Sequence, residues 1–217
     1  MVAGVTRCQS GGVGIYSEQV LPRIVDKTCG LAVNARLRER VCAGLSGRVV
    51  EIGFGSGHNV PYYPAAVRSV TAVEPADTGW KLAAKRLARA TVPVERSGLD
   101  GQSLPFPDNS FDAALSTWTL CTIPDVDAAL TELRRVLVPG GVFHFVEHGL
   151  APDAAVQVWQ HRLNPVQKAL FGGCHLNRDI ASVIEGAGFT LRELDRFYEE
   201  SAPKAFASHY LGVAVSP

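Results

Sequence analysis

The stretch Arg48-Val49-Val50-Glu51-Ile52-Gly53-Phe54-Gly55-Ser56-Gly57 decides the architecture, because it joins a short apolar run to three glycines at alternate positions. Residues 48–52 read as a buried strand whose one acid, Glu51, comes near its end. Gly53, Gly55 and Gly57 let the main chain turn tightly with no Cβ in the way, so a ligand can lie directly against backbone. The helix expected next offers unpaired N–H groups and a positive dipole end, which suits a carboxylate or a phosphate.

A second strand, 69–73, ends in Glu74-Pro75, placing an acid roughly where doubly wound folds grip ribose hydroxyls with a carboxylate. With Glu51 this makes two acids at strand ends, a pattern suited to a nucleoside. A helical stretch over 79–90 and a third strand near 92–95 lead into Leu99-Asp100-Gly101-Gln102-Ser103-Leu104-Pro105-Phe106, where Asp100 can accept from an adenine amino group. A tight turn in any α/β domain is the structural alternative for the glycines alone. A nicotinamide dinucleotide is the competing cofactor, but its fingerprint is Gly-x-Gly-x-x-Gly and here the third glycine comes one residue early. Glu51 would also repel a pyrophosphate, whereas it suits the ammonium of a methionine moiety.

The rest of the pattern predicts a doubly wound α/β fold with a mostly parallel seven-stranded sheet and an antiparallel last strand. Strands over 48–52, 69–74, 92–95, 111–117 and 142–148 alternate with helices, among them 126–137, closed by Pro139-Gly140-Gly141. Ser17 as N-cap, Pro22 in an early turn and the apolar spacing of Val20, Leu21, Ile24 and Val25 predict a first helix, and 31–45 a second. A last helix covers 179–187. Two late strands, near 192–199 and 208–215, come without an intervening helix and predict an antiparallel edge.

In the same order, Glu51-Ile52-Gly53-Phe54-Gly55-Ser56-Gly57, Glu74-Pro75, Asp100, Leu104-Pro105-Phe106 and Pro139-Gly140-Gly141 resemble the class I S-adenosylmethionine-dependent methyltransferases, over roughly 49–148. The resemblance implies a Rossmann-like methyltransferase fold that binds S-adenosyl-L-methionine and releases S-adenosyl-L-homocysteine. It implies that Gly53, Phe54, Gly55, Ser56 and Gly57 flank the methionine part, with Glu51, Asn59 and Tyr16 also at the cofactor. Glu74 and Pro75 then belong to the ribose, Asp100 and Gly101 to the adenine, and Thr117 and Trp118 to the floor. A narrower resemblance lies in Tyr16-Ser17-Glu18-Gln19, Phe145-Val146-Glu147-His148, Trp159-Gln160, Leu163-Asn164-Pro165, Gly173-Cys174, Leu176-Asn177-Arg178 and His209-Tyr210-Leu211-Gly212-Val213-Ala214-Val215, which are similar to the methyltransferase-like alkyl-thiol S-methyltransferases. It implies a small, hydrophobic acceptor, first a thiol, second an amine or hydroxyl of a lipid or aromatic metabolite. A cofactor-binding protein without turnover is the alternative of another class.

Length and composition agree with one domain over 15–217. At 217 residues and 47% hydrophobic content, the chain can bury a full core without disulfides or metal. Residues 1–14 hold four glycines and no apolar run, and read as a flexible leader rather than a signal peptide. No stretch reaches the roughly 18 apolar residues that cross a bilayer. No integral membrane segment is therefore expected, unlike the better-known thiol methyltransferases, while peripheral membrane contact stays open. Lys plus Arg equals Asp plus Glu, at 21 each, so net charge recruits no nucleic acid. The Asn or Asp-Pro-Pro-aromatic motif of nucleobase-amine methyltransferases is replaced by Ser116-Thr117-Trp118-Thr119. The cysteines at 8, 29, 42, 121 and 174 form no Cys-x-x-Cys pair and no spacing with histidine that builds a zinc site, so no metal is expected and a reducing cytoplasm is the simplest location.

His148 is the candidate base, since it ends the fifth strand on the sheet edge where open α/β folds bind ligands, and imidazole as a class titrates near neutrality. Its neighbour Glu147 can orient it or face the methyl centre; the competing explanation is that both only make local hydrogen bonds. His144, in mid-strand, is expected to be structural. Trp118, Cys121, Trp159, Phe171 and Cys174 are candidates for an apolar acceptor pocket or for core. Residues 151–177 form an insertion expected to make a lid with the N-terminal helices over 17–45.

Overall fold

The computed structural model describes residues 19–97 and 100–217. Tyr16, the expected cap Ser17 and the leader 1–14 lie outside the described residues.

Apolar runs bounded by turn residues become β1 (Gly47–Ile52), β2 (Val67–Val73), β3 (Val94–Arg96), β4 (Phe111–Thr117), β5 (Leu137–His148), β6 (Thr190–Tyr198) and β7 (Ser208–Val215), paired in the order β3-β2-β1-β4-β5-β7-β6. The first five are mutually parallel and β7 runs antiparallel to both β5 and β6. Between and before them lie α1 (Leu21–Cys29), α2 (Ala32–Cys42), α3 (Asp77–Leu87), α4 (Val126–Val136), α5 (Ala154–Leu170), α6 (Ile180–Gly186) and the short α7 (Lys204–Ala207). The expected seven-stranded, mostly parallel α/β sheet is what forms.

Helices cover both faces, as buried parallel strands require. On one face Leu130 and Leu133 of α4 and Ile180 and Ile184 of α6 pack with Phe143, Phe145 and Tyr210. On the other, Leu37, Val41 and Cys42 of α2 and Ala83 of α3 join Val49, Val70, Ala113 and Leu115. The signals for α4 are local: the Asp125 side chain accepts from the Ala128 N–H at 2.9 Å, and Arg134 and Arg135 sit in the last turn against the negative end of the dipole.

Three details differ from the sequence expectation. β5 begins at Leu137, directly after α4, because Leu137 pairs with Phe111 before an irregularity over the Pro139-Gly140-Gly141 bend. The late strands are joined through α7, one helical turn between Pro203 and Ser208. The insertion forms α5, whose one buried residue is Gln160; its amide accepts from the Ala151 N–H at 2.8 Å and donates to the Gly149 carbonyl at 3.1 Å. Trp159 and Phe171 stay 57% and 42% exposed and belong to neither core cluster. His144 takes the structural part, its Nδ1 lying 2.8 Å from the Val41 carbonyl of α2.

β1 and β4 are neighbours, while the crossovers from β1 to β2 and from β4 to β5 leave in opposite directions along the sheet. The switch point past their carboxyl ends is the usual ligand position in such a sheet.

Candidate active site

At the end of β1 the chain turns through Gly53 (φ 72°) and Gly55 (φ 58°), conformations that favour glycine. A Cβ on Gly53 would run into the Thr119 side chain, so the two strand ends approach closer than any other residue allows. Beneath the turn lies a buried polar chain. Arg38 of α2 donates to Asn59 Oδ1 at 2.6 Å and to Thr117 Oγ1 at 3.3 Å; Asn59 Nδ2 donates to Glu51 Oε1 at 2.9 Å and to Thr117 Oγ1 at 3.0 Å; the Tyr63 hydroxyl donates to the other Glu51 oxygen. Burial pushes Glu51 up to about 7, against the lowering effect of its Tyr63 and Asn59 hydrogen bonds. Arg38 is only 5% exposed, stacks over Trp118 at 4.7 Å, and its Nε–H has no partner among the described residues. Sequence reading passed over Arg38, although a cation at the helical spacing of Leu37, Val41 and Cys42 was a usable signal.

Glu74, also buried, accepts from the Gly55 N–H at 2.6 Å and the Ala76 N–H at 2.7 Å. Burial raises its pKa, opposed by those two N–H groups. The carboxylate thus spans from β2 to the glycine turn. Phe54 points away into the core against Trp80, at 5.3 Å between rings, and Ser56 is buried with its carbonyl taken by Arg86 at 2.9 Å. These two and Pro75, which is exposed, contribute backbone rather than side chain to the turn. Gly101 lies against Ile52 and Ile123, while Asp100 is exposed and accepts from the Gln102 N–H at 2.9 Å.

Beyond β4 the chain passes through Trp118 in the left-handed region (φ 52°). Glu147, fully buried, accepts from Ser116 Oγ at 2.7 Å, the Thr119 N–H at 3.0 Å and the Cys121 N–H at 3.3 Å. Its carboxylate is therefore a brace for this turn. Half-buried His148, the next residue, has its ring centroid 6.4 Å from Trp118 and 4.5 Å from His209. Cys174 Sγ lies 3.6 Å from Cys121 Sγ, and a ring nitrogen of His148 lies within 4.8 Å of both sulfurs. The contact with the Cys121 thiol, then the one with His148, lower Cys174, while Cys121, enclosed beside Cys174 and Glu147, is raised well above the usual thiol range. Linear spacing announced no such grouping; the fold gathers two thiols and an imidazole from three separate segments.

A methyltransferase-domain family model matches residues 50–145. The human thiol S-methyltransferase TMT1A is 32% identical over 179 residues, covering 80% of this chain and 73% of that protein. A phosphatidylethanolamine N-methyltransferase from Cereibacter sphaeroides is 32% identical over 123 residues, covering 51% of this chain and 57% of its own. The solved structure of an S-adenosylmethionine-dependent methyltransferase from Aquifex aeolicus superposes with a TM-score of 0.65 at 16% identity, over 90% of this chain and 98% of that one. The chain belongs to the class I S-adenosylmethionine-dependent methyltransferases.

The residues present suit this methyltransferase cofactor. S-adenosylmethionine supplies an activated methyl on a sulfonium; the chain supplies binding and alignment. The unpartnered Arg38 Nε–H would meet its carboxylate, Glu51, Asn59 and Thr117 its ammonium, and Glu74 its ribose hydroxyls.

Two outcomes test this arrangement. Glu51 prefers its neutral form when folded, so the ligand-free enzyme should lose stability as pH rises from about 4.5 to about 7, by up to about 3 kcal/mol. Denaturant unfolding at pH 5 and pH 8 should show that loss in the wild type and a much flatter profile in Glu51→Gln. In calorimetric titrations, Arg38→Met should weaken S-adenosylhomocysteine by about 1–3 kcal/mol yet leave 5′-methylthioadenosine, which lacks the amino acid, almost unchanged, whereas Glu74→Ala should weaken both.

Proposed function

We propose that this methyltransferase acts on small, apolar thiols, forming a methyl thioether by direct in-line displacement. What carries the reading is the grouping of His148, Cys174 and Trp118 at the carboxyl edge of β4 and β5, beside the glycine turn. The thiol S-methyltransferase activity named for the human relative supports it. Holding sulfur and methyl carbon in near-attack geometry can supply roughly 7–11 kcal/mol, with no covalent enzyme intermediate. A thiol, with a pKa of about 8.5, then needs only modest help to ionise, and the imidazole of His148 borders the position where that help is needed.

Trp118 offers an apolar wall, and the Arg38 guanidinium stacked on it keeps the wall in place. Glu147 acts as a positioning residue, since its oxygens are occupied by Ser116, Thr119 and Cys121. The four described cysteines are free thiols, which fits work in a reducing cytoplasm. No helix among the described residues is long and apolar enough to cross a membrane. A second reading, methylation of a lipid amine or hydroxyl, draws on the likeness to a phosphatidylethanolamine N-methyltransferase.

Transfer of labelled methyl groups to a panel of alkyl and aryl thiols, phenols, fatty acids and phosphatidylethanolamine vesicles separates the readings; methylated thiols should dominate, and product from the vesicles alone would transfer the assignment to lipids. With a thiol acceptor, His148→Ala should lower kcat by about 100-fold while S-adenosylhomocysteine affinity changes by less than about 3-fold. The deficit should widen as pH falls, because less of the free acceptor is already thiolate.

A further inference from the structure

We propose that Cys121, His148 and Cys174 hold a zinc-class divalent ion whose fourth position takes the acceptor sulfur as a thiolate. The proposal rests on the thiol reading for its substrate and on geometry alone for its metal. The three ligand atoms all lie within 4.8 Å of one another. The Sγ–Sγ separation of 3.6 Å is close to the roughly 3.8 Å edge of a tetrahedron with arms of about 2.3 Å, and well outside the roughly 2.05 Å of a disulfide. Two sulfurs and an imidazole select zinc-class ions over magnesium or calcium. Three protein ligands leave one position for water or substrate, the arrangement of a reactive rather than a structural site.

Each ligand is fixed by its surroundings. The Cys121 N–H is held by Glu147, and its carbonyl accepts from the His175 N–H at 2.8 Å. Arg178 donates to the carbonyls of Leu120 and Ile123 on either side. Gly172 (φ 61°) and Gly173 (φ 88°) turn the chain so that Cys174 faces Cys121. Both cysteines are buried, while His148 is not fully enclosed. Two residues before Cys121, Thr119 packs on Gly53, so the trio stands next to the glycine turn that cradles the cofactor.

The chemistry closes without an oxidant or reductant. An incoming thiol replaces water on the ion; its S–H bond breaks, the proton passes to solvent, and a metal–sulfur bond forms. Two protein thiolates already neutralise the ion, so the complex with a third carries a negative charge and its sulfur stays nucleophilic toward the cationic sulfonium. A sulfur lone pair forms the new bond to the methyl carbon, and the old carbon–sulfur pair remains on S-adenosylhomocysteine. The product thioether, a weak ligand, leaves to water. His148 then contributes to thiol ionisation as a ligand, its lone pair on the ion.

The test uses the full chain, kept reduced and reconstituted with zinc, then with cobalt as a spectroscopic substitute. Elemental analysis should find about one zinc per chain, falling at least about tenfold in Cys121→Ser and Cys174→Ser variants that still bind S-adenosylhomocysteine. Wild-type cobalt protein should show thiolate-to-metal charge transfer and tetrahedral visible bands, and adding 1-hexanethiol should intensify the charge transfer. Absence of metal and of those bands, or a Cys121–Cys174 disulfide as the sole product of reconstitution, overturns the proposal. So does charge transfer indifferent to the thiol, or equal thiol methylation by the metal-stripped enzyme, which would leave the thiol reading standing. A thiol-responsive cobalt spectrum with no methylated thiol formed would support the metal site and sink the thiol reading instead.

Discussion

One buried carboxylate joins the two halves of the site. Glu147 stands at the end of β5, yet its hydrogen bonds run to the neighbouring strand end and the turn beyond it, through Ser116, Thr119 and Cys121. Removing a carboxylate from water is costly unless its lone pairs are satisfied, and here donors on one short segment satisfy them, so the turn after β4 is held in one conformation. That turn carries Trp118, presses Thr119 against Gly53, and sets Cys121 beside Cys174. The glycine turn after β1 and the turn after β4 are registered to each other through this group.

The opposite flank follows the same logic with a different outcome. Glu51 shares a buried chain with Asn59, Thr117, Tyr63 and Arg38, in which a cation and an acid are separated by a neutral amide instead of touching. Neither charge is fully compensated by the other. Among the described residues Arg38 keeps an unpartnered Nε–H, and burial drives Glu51 toward its neutral form.

Most of the sheet could be read from the chain because buried parallel strands are continuous apolar runs and their turns carry glycine or proline: β4 was expected and found over 111–117, and β7 over 208–215. The acids at 51 and 74 were legible because they interrupt or end such runs. Arg38 was not, since a charged residue in a helix is ordinarily solvent-facing and its burial depends on α2 folding across the sheet, a tertiary fact. The grouping of Cys121, His148 and Cys174 escaped notice for a similar reason, each residue arriving on a different segment with no local spacing to announce it. The outward position of Trp159 was hidden too, because large apolar side chains are usually buried, whereas α5 turns the neighbouring Gln160 inward and leaves Trp159 in solvent.

The displaced titration of Glu51 extends beyond stability. With the cofactor's ammonium beside it, an acid that is half-neutral alone near pH 7 would become charged, so cofactor capture would expel a proton and product departure would gather one. Each catalytic round would then exchange hydrogen ions with the surrounding buffer at a point remote from the methyl in transit, tying occupancy by the cofactor to the acidity around it.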